Sequence, residues 1–265
     1  MRPFWGRVLG VFNRACNLID ETGRVIAVVL PVVGNGPFTI MIEGVPGMFE
    51  ALDSPQPVSA TPQELIVGQW RIVLSQAEIW EPKIDPPSQP FNLDLLVDLL
   101  PHYADWPNFT EDTPWTKNMA LAGRQAAAQL MRAIIQADSD DRLEAAVGRL
   151  AGLGPGLTPA GDDYLLGAMA ALWLSGQPDN LPGIAEVAGA RTNALSGSFL
   201  NAAARGEFME SWHRLVRAWR HEDNQAIIEA IEWIARFGAS SGLDALAGFT
   251  KTLLSLPRRS IPSPL

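Results

Sequence analysis

Residues 113–136 read TPWTKNMALAGRQAAAQLMRAIIQ, and the chain changes its grammar there. Thr113 is an N-cap residue followed by Pro114, whose fixed φ and missing N–H suit the first helical position. An alanine-rich run follows with Leu130, Met131, Ile134 and Ile135 on one stripe, so the spacing predicts a long helix ending near Gln136. Downstream the helical period continues. A second helix is expected from Ser139, burying Leu143, Val147 and Leu150 at spacings of four and three. Phe208, Trp212, Leu215 and Trp219, and then Ile227, Ile231 and Ile234, mark two more amphipathic helices. Opposite the first of these stripes lie Glu210, Arg214, Arg217 and His221, a partly basic face with two readings: a solvated helix surface or a seat for an acidic partner.

Upstream of Thr113 the pattern is different. Of the 21 prolines, 14 lie at or before Pro114, which breaks this half into short segments. Runs rich in β-branched residues sit between turn residues at Arg7–Phe12, Arg24–Leu30, Phe38–Glu43 and Trp70–Ser75, with Ala77–Trp80 as a fifth. The nearly continuous apolar run from Val25 to Leu30 favours a small barrel or closed sheet with a buried wall over a flat sheet. Residues 81–89, with Pro82, Pro86, Pro87 and Pro90 nearby, read as a stiff connector. The expected class is α+β: a strand-rich small barrel or sheet over residues 1–90, a connector over 91–112, and a mainly α-helical domain over 113–265.

Composition narrows the partners. With 265 residues and 47% hydrophobic content the chain can bury a real core. The 20 Lys+Arg against 29 Asp+Glu give a net charge of −9, which argues against nucleic acid or an anionic membrane as the main partner. Small molecules or other proteins are expected instead. The single cysteine, Cys16, excludes an internal disulfide framework and a cysteine-rich zinc site, and a reducing compartment, the cytoplasm, is expected. The N-terminus has no long apolar region of the secretory-signal kind. The most apolar stretch, Tyr164–Leu174, falls short of the roughly 18 residues a spanning helix requires. His102, His213 and His221 have no metal-ligand spacing, and Ser196-Gly197-Ser198 lacks the leading glycine of a nucleophile elbow.

The segment Gly152–Gly167 reads GLGPGLTPAGDDYLLG. Its glycines lead into a helix whose start is marked by Thr158 as N-cap and Pro159 at the first position. Unpaired N–H groups and the positive end of the helix dipole make such a start a site for a small anion, phosphate or carboxylate. No Lys follows the glycines and the dinucleotide spacing is missing, so a nucleoside triphosphate is not indicated. Asp162 and Asp163 are also what an unliganded first turn favours. Gly167 is not: inside an apolar helix it costs about 1 kcal/mol relative to alanine unless something passes close to the backbone.

A second segment, Gly242-Leu243-Asp244-Ala245-Leu246-Ala247-Gly248, repeats the G-x-D-x-L-x-G pattern after Ser240-Ser241. Alone, Ser241 with Asp244 reads as a capping box. As a pair, the segments predict two helices crossing closely at Gly167 and Gly248, with Gly161 and Gly242 facing one cleft. Thr192–Ser196 reads either as further lining of that cleft or as an ordinary helix start. The candidate site therefore has Asp163 and Asp244 as catalytic carboxylates. Gly154, Gly156, Thr158, Gly161, Asp162, Ser196, Ser240, Ser241 and Gly242 are its binding residues. Paired carboxylates at adjacent helix starts also leave Mg²⁺ open as a cofactor, for hydrolysis or transfer of a phosphoryl or glycosyl group.

The loop GLGPGLTPAGDDYLLG, the later segment Gly238–Gly248 (GASSGLDALAG) and the opening Val11–Leu18 (VFNRACNL) resemble the AllH-like family, which is associated with a subunit of oxamate carbamoyltransferase. The resemblance implies a transferase subunit that works with partner subunits on oxamate, carbamoyl phosphate and oxalurate, in the nitrogen metabolism of purine and allantoin degradation. Carbamoyl transfer asks for phosphate binding, for positioning of a weak amide nucleophile and for charge stabilisation at the carbamoyl oxygen. The loop amides from Gly154 to Gly161 suit the first need, and Asp163 or Asp244 the second. One position departs from the family: Ala239 stands where His-Thr-Ser-Gly or a near variant is usual, so any chemistry of that histidine is missing here. A non-catalytic ligand-binding or scaffold subunit is the competing reading.

Overall fold

Alternation of buried and exposed side chains along Phe4–Val11 sets the first strand, β1, whose Phe4 and Val8 point into a core. In the computed structural model, which describes residues 3–52, 55–87, 92–109, 113–136 and 140–257, the chain divides into two units, Met1–Pro82 and Lys83–Leu265. The first unit continues with β2 (Ala15–Asp20), β3 (Val25–Val29), β4 (Thr39–Met41), β5 (Pro57–Ala60), β6 (Glu64–Val67) and β7 (Trp70–Val73). These strands form one curled half-barrel sheet in the order β4-β3-β2-β1-β5-β6-β7. Every pairing is antiparallel except β3 with β4. The sheet is held by its concave face. Phe4, Val8, Leu18, Val28, Val58, Leu65 and Val67 pack together, and Phe49 from a short 3-10 turn (Met48–Ala51) plugs the middle, 5.7 Å from the Trp70 ring. Cys16 lies in this core, fully buried, and burial pushes its thiol up to about 11.

Two strand expectations need correction. Ala77–Trp80 forms no strand; Ile79 is fully exposed, and a segment with no apolar face to bury gains nothing from pairing. β2, β5 and β6 were not foreseen. β2 carries the polar Asn17 and Asp20 and only one β-branched residue, so its strand state comes from its neighbours β1 and β3. Asp20 is the reason a polar end is tolerated there: its carboxylate accepts from the Thr22 and Arg24 N–H groups, the Thr22 hydroxyl and Arg24 Nε, which closes the turn into β3.

The second unit is helical. After α1 (Asp94–Val97) and a 3-10 turn (Leu100–Tyr103) come α2 (Pro114–Gln136), α3 (Asp140–Leu150), α4 (Ala160–Leu174), α5 (Leu181–Gly189), α6 (Ala194–Ala203), α7 (Glu210–Arg220), α8 (Asn224–Ala235) and α9 (Ser241–Ser255). The Thr113-Pro114 start is as expected: the Thr116 N–H donates to the Thr113 hydroxyl and the Thr113 N–H to that of Thr116. The α2 stripe is shifted, however. Ala126, Ala127, Leu130, Ala133 and Ile134 are buried, whereas Ile135 is 45% exposed. The expected start of α3 at Ser139 lies outside the described residues; Val147 and Leu150 are buried as the spacing requires. Phe208, Trp212, Leu215 and Trp219 are all buried, as are Ile227, Ile231 and Ile234. On the opposite face of α7, Arg214 pairs with Glu210 at 2.9 Å and stacks 3.9 Å over the Trp233 ring.

The centre of the unit is α4. All of its fifteen positions are buried except Leu166, so it has no solvent face, and beyond Asp162 and Asp163 it is apolar all round. Its main neighbour is α9. Among the described residues no helix is long and apolar enough to cross a membrane.

Candidate functional site

The glycine loop is a latch before it is anything else. Gly152, Gly154 and Gly156 adopt φ of 71°, 124° and 99°, which other residues rarely hold, and these turns bring the chain from α3 back to the start of α4. The Asp162 carboxylate accepts from the Gly152 N–H at 2.8 Å and from the Thr192 hydroxyl. Asn193 Nδ2 donates to the Leu157 carbonyl at 2.8 Å, while the Asn193 side-chain oxygen accepts from the N–H groups of Leu195 and Ser196. Thr192–Ser196 is therefore an ordinary helix start that also clamps the loop. Ser196 is buried with no hydrogen-bond partner for its hydroxyl among the described residues, and it lies beside Asp162.

Two details differ from the local reading. The N-cap of α4 is Pro159, with extended ψ of 140°, and its carbonyl accepts from the N–H groups of Asp162 and Asp163 at 2.9 and 3.1 Å. Thr158 therefore stands outside the helix, its hydroxyl 2.7 Å from that of Ser241. Gly161 faces no cleft: a Cβ there would overlap the Leu150 carbonyl, and its N–H donates to Leu153 at 2.8 Å, so that amide is unavailable to an anion. The N–H groups of Gly154 and Gly156 have no protein acceptor among the described residues.

The capping-box reading of Ser241 with Asp244 does not hold either. Ser240 is the N-cap of α9 without a side-chain cap bond, and Asp244, fully buried, turns to a distant residue. Its Oδ1 accepts from the Asn108 N–H at 2.9 Å and from Asn108 Nδ2 at 3.2 Å. Asn108 carries no local signal in the sequence. Trp106, two residues before, packs against Tyr164 with ring centroids 4.7 Å apart, and its indole N–H donates to the Ala160 carbonyl at 3.3 Å. Residues 106–108 thus strap the starts of α4 and α9.

The crossing of those helices follows the expectation from the glycine echo. A Cβ on Gly167 would overlap the Ala245 carbonyl, and one on Gly248 the Tyr164 carbonyl, so both glycines are required for close approach. Gly242 sits against the end of α8, where a Cβ would overlap the Ile234 carbonyl.

The crossing brings carboxylates together in a dry place. Asp163 is 6% exposed, and neither its Oδ2 nor that of Asp244 has a hydrogen-bond partner among the described residues. Burial, with the like charges of Asp244 and Asp162, pushes Asp163 well above the usual carboxylate range, against the Ser241 and Thr158 hydroxyls, which favour its charged form. Burial likewise raises Asp244, opposed by Asn108 and the Ser240 hydroxyl, and raises Asp162, opposed by Thr192, the Gly152 N–H and Ser196. Thr158, Asp163, Ser241 and Gly242 line one cavity of about 30 Å³, room for about two water molecules, walled by Leu166, Phe199, Met209, Trp212, Ile234 and Phe237. Asp162, Gly161 and Ser196 belong to the latch. Among the described residues, no group of three or more His, Cys, Asp or Glu side chains could hold a metal ion.

Two family models match the chain. One, described as oxamate carbamoyltransferase subunit AllH, covers residues 150–253 and with them both G-x-D-x-L-x-G segments. The other, described as the AllH family N-terminal domain, covers residues 1–79 and with them the whole sheet. No solved structure matches the chain.

Proposed function

The chain belongs to the AllH family, and from that premise we propose that it is a subunit of a carbamoyltransferase acting on small anions such as oxamate, carbamoyl phosphate and oxalurate. In this reading it works with partner subunits, in the cytoplasm, within purine-degradation nitrogen metabolism. The family description supports the subunit role. The observation that carries the site is Asp163, buried at the joined starts of α4 and α9 with an unpartnered oxygen beside two hydroxyls. A carboxyl group so placed can hold and orient the amide nitrogen of a weak nucleophile for attack on the carbamoyl carbon, as the new C–N bond forms and phosphate leaves. The N–H groups of Gly154 and Gly156 suit the anionic end.

One observation favours the second reading, a ligand-binding subunit without chemistry of its own. A cavity of about 30 Å³ is smaller than carbamoyl phosphate, so turnover requires either opening or a surface completed by a partner. Thermal shift of the isolated chain with oxamate, carbamoyl phosphate, oxalurate and Mg²⁺, followed by turnover assays with and without partner subunits, tests both. Stabilisation by one of the anions that is lost in Asp163→Ala supports the site. Equal responses in wild type and variant would remove Asp163 from it, and a response to Mg²⁺ alone would favour a metal-dependent hydrolase.

A further inference from the structure

The polar lining of the cavity beside Asp163 consists chiefly of carboxyl and hydroxyl oxygens. At the two helix starts the N–H groups of Asp163, Gly242 and Asp244 are committed to the carbonyls of Pro159, Phe237 and Ser240, at 3.1, 2.9 and 2.9 Å. No Lys, Arg or His lines the space. The Thr158 and Ser241 hydroxyls spend one hydrogen on each other, 2.7 Å apart, which leaves free lone pairs on both oxygens and one hydrogen to give. Asp163 Oδ2 is a further acceptor without a partner among the described residues. Ser211 adds a third hydroxyl, and Phe199, Trp212 and Phe237 supply aromatic wall.

We infer that this cavity seats a nitrogen bearing at least two hydrogens, the –NH₂ of a primary amide or an ammonium ion, held by Asp163 and the hydroxyl oxygens of Thr158 and Ser241. A phosphate or carboxylate there would meet the Asp163 carboxyl with no cation to offset its charge; a nitrogen with several hydrogens matches the unpartnered oxygen, and a cationic one gains from the aromatic walls. The volume admits a terminal group and not a whole carbamoyl phosphate. The inference rests on the reading of this cleft as the working site and specifies which end of the substrate enters it: the amide nitrogen, with the anionic end left to the loop.

The two nitrogen types bind with opposite proton balance. The groups facing Asp163 are Asp162 on its own helix and Asp244 on α9, both acidic, and they help to keep Asp163 protonated. An ammonium ion therefore enters as one proton leaves Asp163, and its binding tightens as pH rises. A primary amide pairs with the protonated carboxyl, N–H to C=O and O–H to the amide oxygen, and its binding weakens as pH rises.

The experiment is thermal shift of the full chain in ammonium, sodium and tetramethylammonium chloride at equal ionic strength, and in formamide, each across a pH series. Wild type is expected to gain about 2 to 4 °C from saturating ammonium or formamide over sodium and tetramethylammonium, with the pH trend naming the type. The gain should be lost in Asp163→Ala and reduced in Ser241→Ala; in Asp163→Asn the ammonium gain is lost, whereas a formamide gain is kept. A wild-type response equal in all salts and absent in formamide overturns the inference without relying on any variant. Oxamate stabilisation that survives Asp163→Ala would overturn it too, yet keep the chain an oxamate binder. A selective nitrogen response with no response to any anion would keep the cavity and remove the carbamoyl-transfer reading.

Discussion

Gly167 is seated against the backbone of Ala245 and Phe249, and Gly248 against that of Tyr164 and Ala168, so the two glycines form reciprocal halves of one helix contact. A methyl group at either place has nowhere to go except into main chain, which cannot rotate aside as a side chain can.

Gly167→Ala and Gly248→Ala are therefore expected to destabilise the helical unit by about 1–3 kcal/mol or more, although alanine is the better helix former by about 1 kcal/mol. Gly183 in α5 is the control, because nothing lies within 4 Å of a Cβ there. Gly183→Ala should be neutral or stabilising by up to about 1 kcal/mol. Urea denaturation of the three variants measures the contrast, and equal effects would refute the close crossing.

Asp162 and Thr192 should behave as one unit. Asp162→Ala leaves the Gly152 N–H and the Thr192 hydroxyl without their acceptor and is expected to cost about 1–3 kcal/mol. A double-mutant cycle with Thr192→Val should return a coupling of about 0.5–3 kcal/mol, and additive losses would show that the latch is not energetically coupled.

Asp163 makes the helical unit sensitive to alkali. Its folded-state affinity for a proton is raised above the unfolded value, so its contribution is fully present below about pH 4 and is lost as pH rises through the folded-state titration. Asp163→Asn mimics the protonated form. The variant is expected to equal wild type in acid and to exceed it by about 1–3 kcal/mol once Asp163 is ionised, read from urea midpoints across pH.

Asp20 gives the sheet the opposite sign. Burial alone would raise this carboxylate, but the bonds from Thr22 and Arg24 outweigh burial and hold it at about 2. Its contribution, about 2 kcal/mol, is present above about pH 4 and lost as pH falls toward 2. Amide exchange across β2 in wild type and Asp20→Asn should show protection diverging above that window and converging within it.

What could be read from the sequence was what is local. Thr113-Pro114 starts α2 because cap and proline act within one turn, and the stripe from Phe208 to Trp219 is buried because its period needs no neighbour to define it. The glycine echo was legible for a related reason, since Gly167 costs its own helix stability and so announces a contact. β5, Pro57-Val58-Ser59-Ala60, was not: four small residues become a strand only between β1 and β6. Asn108 was invisible because its partner Asp244 is 136 residues away and neither residue type is specific to such a bond. For the same reason Gly161 was assigned to a cleft when the Leu150 carbonyl already explains it.

The lone thiol of Cys16 offers a clock. Buried in the concave face of the sheet and held largely in its unreactive protonated form, it can be alkylated only when the sheet opens. With one cysteine in the chain, every labelled molecule records an opening of the N-terminal unit, and none records the helical unit. Labelling rates measured beside the loss of helical signal thus time the two units separately within a single intact molecule, with no engineered probe.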